Sequence, residues 1–201
     1  MNKPSQRARK LLVGAATPVA LVLAAGMVYQ ASYAAFSGQT RNSGNDWSTG
    51  SVNLTDDDNG SARFQVSNML PGDTDTKCIK VTANASVAST VKGYSVNPVP
   101  SSAGLENRIF VTIKDGNGGS FADCAGFTAD RTLMSDVTLA QLATANSYAT
   151  GIGGWSVAPG TSTKTYQVTW RFDTSGMTQA QVDALQNSRT GIDMQWEMQS
   201  D

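Results

Sequence analysis

The chain has 201 residues, with 15 Lys and Arg against 16 Asp and Glu, and no histidine anywhere. The missing imidazole excludes Ser-His-Asp and Cys-His catalysis and the H-E-x-x-H zinc site. A mildly acidic balance argues against nucleic acid as a partner.

In chain order, Lys3, Arg7, Arg9 and Lys10 stand in an opening stretch with no acidic residue, and Leu11 to Val28 follows as an almost unbroken apolar and small-residue run. This is the n-region and h-region of a secretory signal. Ser32-Tyr33-Ala34 then supplies the small side chains that signal peptidase accepts, which predicts a signal peptide over residues 1–34 cut between Ala34 and Ala35. A retained membrane anchor is the competing reading, since about 18 to 20 apolar residues span a bilayer as a helix. Pro18, Gly14 and Gly26 weaken such a helix. Cleavage would leave residues 35–201, the size of one domain, with 11 basic residues against 16 acidic ones, a formal charge of −5. The expected location of this product is outside the cell.

The rest of the chain alternates short β-favouring runs with clusters of Gly, Asn, Asp, Ser and Pro, the pattern of an all-β sandwich or barrel. Strands are predicted over Ser51–Thr55, Ser61–Asn68, Asp75–Ala83, Thr90–Val96, Arg108–Lys114, Arg131–Ser135, Lys164–Asp173 and Gly191–Gln199. The last two alternate clearly: Tyr166, Val168, Trp170 and Phe172 share one face, and Ile192, Met194, Trp196 and Met198 share another. Asp57-Asp58-Asn59-Gly60 is read as the turn joining the first two strands, and Asp115 to Gly119 as a turn after Lys114. Short helices are predicted over Thr138–Ala145 and Thr178–Gln186, the second opening on a capping box of Thr178 and Gln181.

Cys78 and Cys124 are the only cysteines. In an exported chain they are most simply a structural disulfide, without the C-x-x-C spacing of a redox or metal pair. Glutamates number two, Glu106 and Glu197, and nothing in the spacing of the aspartates singles out a general acid and base. The run Asp56, Asp57, Asp58 is the best oxygen-rich candidate for Ca²⁺, but it lacks the EF-hand pattern, and a solvated turn is the preferred reading. Asn53-Leu54-Thr55 and Asn84-Ala85-Ser86 fit the N-glycosylation tripeptide, which is common by chance. Neither a catalytic residue nor a cofactor site is assigned.

Three motifs occur in a set order: Ser32-Tyr33-Ala34-Ala35-Phe36-Ser37, then Trp47-Ser48-Thr49-Gly50-Ser51-Val52-Asn53-Leu54, then Asn68-Met69-Leu70-Pro71-Gly72-Asp73. Together with Asn84-Ala85-Ser86 and the late Trp196-Glu197, they resemble the TasA/camelysin family of exported Gram-positive proteins. The resemblance is strongest over residues 30–90. It implies a jelly-roll-like antiparallel β-sandwich with one or two short inserted helices, and a subunit of extracellular fibres in biofilm matrix. It also implies a mature N-terminal donor strand, here residues 35–45 anchored by Phe36, that completes the sheet of the next subunit by β-augmentation. Self, a signal peptidase and accessory matrix subunits are then the partners. A terminus that frays, or pairs within its own subunit, is the alternative for residues 35–45. A monomeric secreted binding or adhesion module is the alternative function. The family's casein-cleaving metallopeptidases supply a third, which the missing histidine disfavours.

Overall fold

Nine strands build two antiparallel sheets in the structure, a computed structural model that describes residues 37–39, 51–61 and 64–201. The strands are β1 (Ser37–Gln39), β2 (Val52–Asp56), β3 (Thr74–Ala85), β4 (Ser89–Val99), β5 (Ile109–Asn117), β6 (Thr128–Thr138), β7 (Ile152–Val157), β8 (Gly160–Phe172) and β9 (Gly191–Ser200). One sheet has the order β1-β9-β4-β7 and the other β2-β3-β8-β5-β6. Setting β2 aside, the pairings nest: β5 with β6, β4 with β7, β3 with β8 and β1 with β9. A long hairpin rolled into two facing sheets gives this nesting, the jelly roll that the resemblance implied. The predicted signal peptide and its cut after Ala34 lie outside the described residues.

The alternation read in the sequence sets the core. On β8, Tyr166, Trp170 and Phe172 are buried, and on β9 Trp196 and Met198 are buried with Met194 packed beside them. The inner faces form two apolar groups, one around Val81, Val91, Val157 and Met198 and one around Val111, Ile113, Leu142 and Trp170. Leu133 and Met194 pack against both and make them continuous. Gly93 lies opposite Trp196 in the register, and a Cβ there would sit 3.1 Å from the indole nitrogen. A larger residue there would push the indole aside by a few tenths of an ångström.

Both helices form, shorter than predicted: α1 (Leu139–Leu142) and α2 (Gln179–Asp183). Each opens on a complete capping box, Thr138 with Gln141 and Thr178 with Gln181. The reciprocal bonds satisfy main-chain N–H groups that the first turn leaves without partners.

Three expectations are corrected. Ser61–Asn68 is not a strand: its described residues, Ser61 and Phe64 to Asn68, are irregular, and Asn68 turns the chain at φ 55°. The reason is that β2 pairs directly with β3, from Val52 opposite Ala85 to Asp56 opposite Val81, so the Asp57–Gly60 turn closes no hairpin between neighbours. Asp115, Gly116 and Asn117 are not a turn but the end of β5. A Cβ on Gly116 would lie 2.0 Å from the Thr128 carbonyl oxygen, so glycine serves there for close approach to β6. Ile152–Val157 is a strand that the sequence reading missed, because Gly151, Gly153 and Gly154 look like loop punctuation.

Candidate functional site

The edges of the two sheets differ in how well they are closed. β6, at one edge, shows three register irregularities against β5, a left-handed Asp136 at φ 53°, and side chains largely exposed along its length. Bulges and charges of this kind protect an edge from further pairing. β9 presents another situation. It pairs with β4 along its length, but on its other side, among the described residues, it pairs only with β1: Ser37 with Gln199, Gly38 with Met198 and Gln39 with Glu197. Of the predicted donor segment, Ser37–Gln39 is therefore seen pairing within its own chain. Ala35, the anchor Phe36 and residues 40–45 lie outside the described residues.

Beside this edge, the outer face of β4 and β9 carries a buried polar network. Gln195 Nε2 donates to Tyr94 Oη at 2.7 Å, Tyr94 Oη donates to Glu197 Oε2 at 2.7 Å, and Gln199 Nε2 donates to Glu197 Oε1 at 2.8 Å. Glu197 is only 6% exposed, and its two oxygens are held by charge-assisted bonds. The Trp-Glu pair noted in the sequence thus splits across the sheet, with Trp196 in the core and Glu197 on the outer face.

The acidic turn after β2 is a clasp rather than a loose solvated loop. Asp57 Oδ1 accepts from the Lys80 main-chain nitrogen and Oδ2 from that of Phe121, both at 2.8 Å. One carboxylate thereby ties the turn to β3 and to the loop that carries Cys124. That loop has a second tether, the Cys78–Cys124 disulfide, with Cα atoms 5.4 Å apart. Asp58 Oδ1 accepts from the Gly60 nitrogen at 2.6 Å, and Asp56 Oδ1 from the Asp58 nitrogen at 3.4 Å. Among the described residues, no group of three or more Cys, Asp and Glu side chains is placed to hold a metal ion.

Burial, reinforced by the Asp58 hydrogen bond and the charges of Asp58 and Asp57, raises the Asp56 carboxyl from 3.8 to about 6. The folded state therefore binds this proton more tightly than the unfolded chain does. Its contribution to stability is complete below pH 3.8 and is lost as the pH rises to about 6. Asp56→Asn is expected to flatten that window and to stabilise the protein at neutral pH by about 1 kcal/mol, after allowance for solvent screening. Urea midpoints measured from acid to neutral pH check this; parallel curves for the two proteins would show that Asp56 does not titrate as described.

The sequence reading also missed the ion pair of Asp115 with Arg131. Asp115 is fully buried, and Arg131 Nε reaches its two oxygens at 3.2 and 3.1 Å while Nη2 bonds to the same carboxylate. The signal was present, since Asp115 continues the alternation of Val111 and Ile113.

The chain matches no family model and no curated protein. The fold and geometry define the class plainly: an all-β sandwich of two antiparallel sheets, with one disulfide that pins a loop to one of them. Such a bond suits an oxidising compartment.

Proposed function

We propose that this protein is an exported structural subunit that assembles into extracellular fibres of the TasA/camelysin kind by exchanging its N-terminal strand between copies. The observation that carries the reading is the flank of β9 that, among the described residues, pairs only with Ser37–Gln39. Extending the register of Ser37 with Gln199 and Gln39 with Glu197 in both directions sets Ala35 opposite Asp201 and Asn45 opposite Gly191. The donor segment read from the sequence thus matches β9 in length.

In the assembled form, residues 35–45 of one copy lie along β9 of the next. Main-chain groups supply the affinity and alternate side chains the specificity. By the same extension Phe36 would fall opposite Ser200, in phase with Met198. The intrachain contact of β1 is replaced by the same contact from a neighbour, so the exchange has a low cost, as in domain swapping.

Deletion of residues 35–45 from the mature protein is expected to abolish concentration-dependent filaments, seen by electron microscopy and sedimentation, and to leave a folded monomer. Filaments of undiminished number would remove strand exchange as the mechanism. An intact mature protein that never polymerises, yet keeps a specific ligand after the deletion, would instead identify a secreted binding module.

A further inference from the structure

Two Asn-Gly pairs occur among the described residues, Asn59-Gly60 and Asn117-Gly118, and the fold treats them in opposite ways. Asparagine followed by glycine is chemically labile because no Cβ shields the next main-chain nitrogen from the asparagine amide. Asn117 ends β5 opposite Thr128, and its Nδ2 donates to both Asp130 oxygens, at 3.3 and 3.0 Å. Lys164 holds Asp130 in turn at 2.9 Å, and the Gly126 carbonyl oxygen lies 2.1 Å from where a Gly118 Cβ would be. The amide is pinned, and the Gly126 backbone crowds the glycine that follows it.

Among the described residues, the Asn59 side chain has no such hydrogen bond. It is exposed in a tight turn, with φ 51° at Asn59 and 77° at Gly60, closed by Ser61 N donating to Asp58 O at 3.0 Å. The reacting nitrogen has a carboxylate against it, because Gly60 N donates to Asp58 Oδ1 at 2.6 Å.

We propose that Asn59 is a self-modification site at which the folded protein converts its own amide to a carboxylate, with Asp58 as the proton acceptor. As the turn opens, the Gly60 nitrogen passes its proton to Asp58 and attacks Asn59 Cγ. The N–Cγ bond forms and the Cγ–Nδ2 bond breaks. Nδ2 leaves as ammonia with the transferred proton, and a succinimide remains between positions 59 and 60. Solvent water then opens the ring. Addition at Cγ yields aspartate, and addition at the main-chain carbonyl yields isoaspartate, so the sum is one water consumed and one ammonia released. The product adds a negative charge to the run Asp56, Asp57, Asp58, and the isoaspartate form lengthens the main chain next to the Asp57 clasp. The bonds from Lys80 and Phe121 to Asp57 are the ones it loosens.

The test is peptide mapping by mass spectrometry of the purified folded protein after incubation in mildly alkaline buffer, with an enzymatic assay for isoaspartate. The expected result is conversion at Asn59 about tenfold or more faster than at Asn117, the margin set by the charged hydrogen bond that must break to free Asn117. In urea, where both turns are lost, the two sites are expected to react alike. Asp58→Ala, which removes the acceptor from an exposed turn, is expected to slow the folded-state reaction at Asn59 several-fold. Equal rates at Asn59 and Asn117 in the folded protein, or an unchanged rate in Asp58→Ala, would overturn the proposal.

Discussion

Replacing Arg131 with Met is expected to destabilise the fold by about 3 kcal/mol, because it leaves the Asp115 carboxylate buried without its cation. The asymmetry of the pair is what makes the effect large. The Asp115 side chain is wholly inaccessible, while that of Arg131 keeps 49% of its surface in solvent and donates a further bond to the Gly154 carbonyl oxygen at 3.3 Å. The arginine thus desolvates little, and the aspartate depends on it. Asp115→Leu combined with Arg131→Met removes both charges and is expected to recover most of the loss. Urea unfolding of the wild type, the single variant and the double variant checks both statements. A single-variant loss below about 1 kcal/mol, the range of an exposed pair, would show that Asp115 is solvated by another route.

The second large effect belongs to the disulfide. Cys78→Ser with Cys124→Ser opens a loop of sequence separation 46 and is expected to cost about 4 kcal/mol in the loop-entropy treatment. That is a large share of the roughly 5 to 15 kcal/mol that holds a domain together. Cys78 lies on the outer face of β3, so the bond does not brace the two sheets against each other. It pins the loop between β5 and β6 onto one sheet, where Asp57 grips the same loop at Phe121. Reduction of the wild type should lower the denaturant midpoint by the same amount as the double substitution, with little change in slope. A loss below about 1 kcal/mol would mean that the Asp57 clasp alone fixes the loop.

Strict alternation made β8 and β9 legible, with their faces, and the Thr178 and Gln181 capping box marked the start of the second helix. What stayed hidden was decided by contacts distant in the chain. Asp115-Gly116-Asn117 has the composition of a turn, and only the partner strand β6, supplying Arg131, makes an aspartate tolerable at that core position. The glycines around β7 carry no strand signal because the strand is secured by pairing with β4 rather than by propensity. The acidic run was found as a turn, but its role depends on Lys80 and Phe121, 23 and 64 residues from Asp57. The flank of β9 was the least legible feature, since it is defined by which described strand lies beside it, here only the three residues of β1.

The nested pairing of the jelly roll also fixes an order of events as the chain folds. β5 and β6 close the shortest loop, and each pair outward closes a longer one, until β1 meets the residues at the far end of the chain. Loop-closure entropy therefore favours zipping from the middle of the sequence toward both termini. β9 sits inside its sheet between β1 and β4, and among the nine strands it emerges after the other eight during synthesis. Until it arrives, β4 has an open flank and the core lacks Met194, Trp196 and Met198. The architecture thus keeps a growing chain from completing this sandwich early, and makes β9 the keystone.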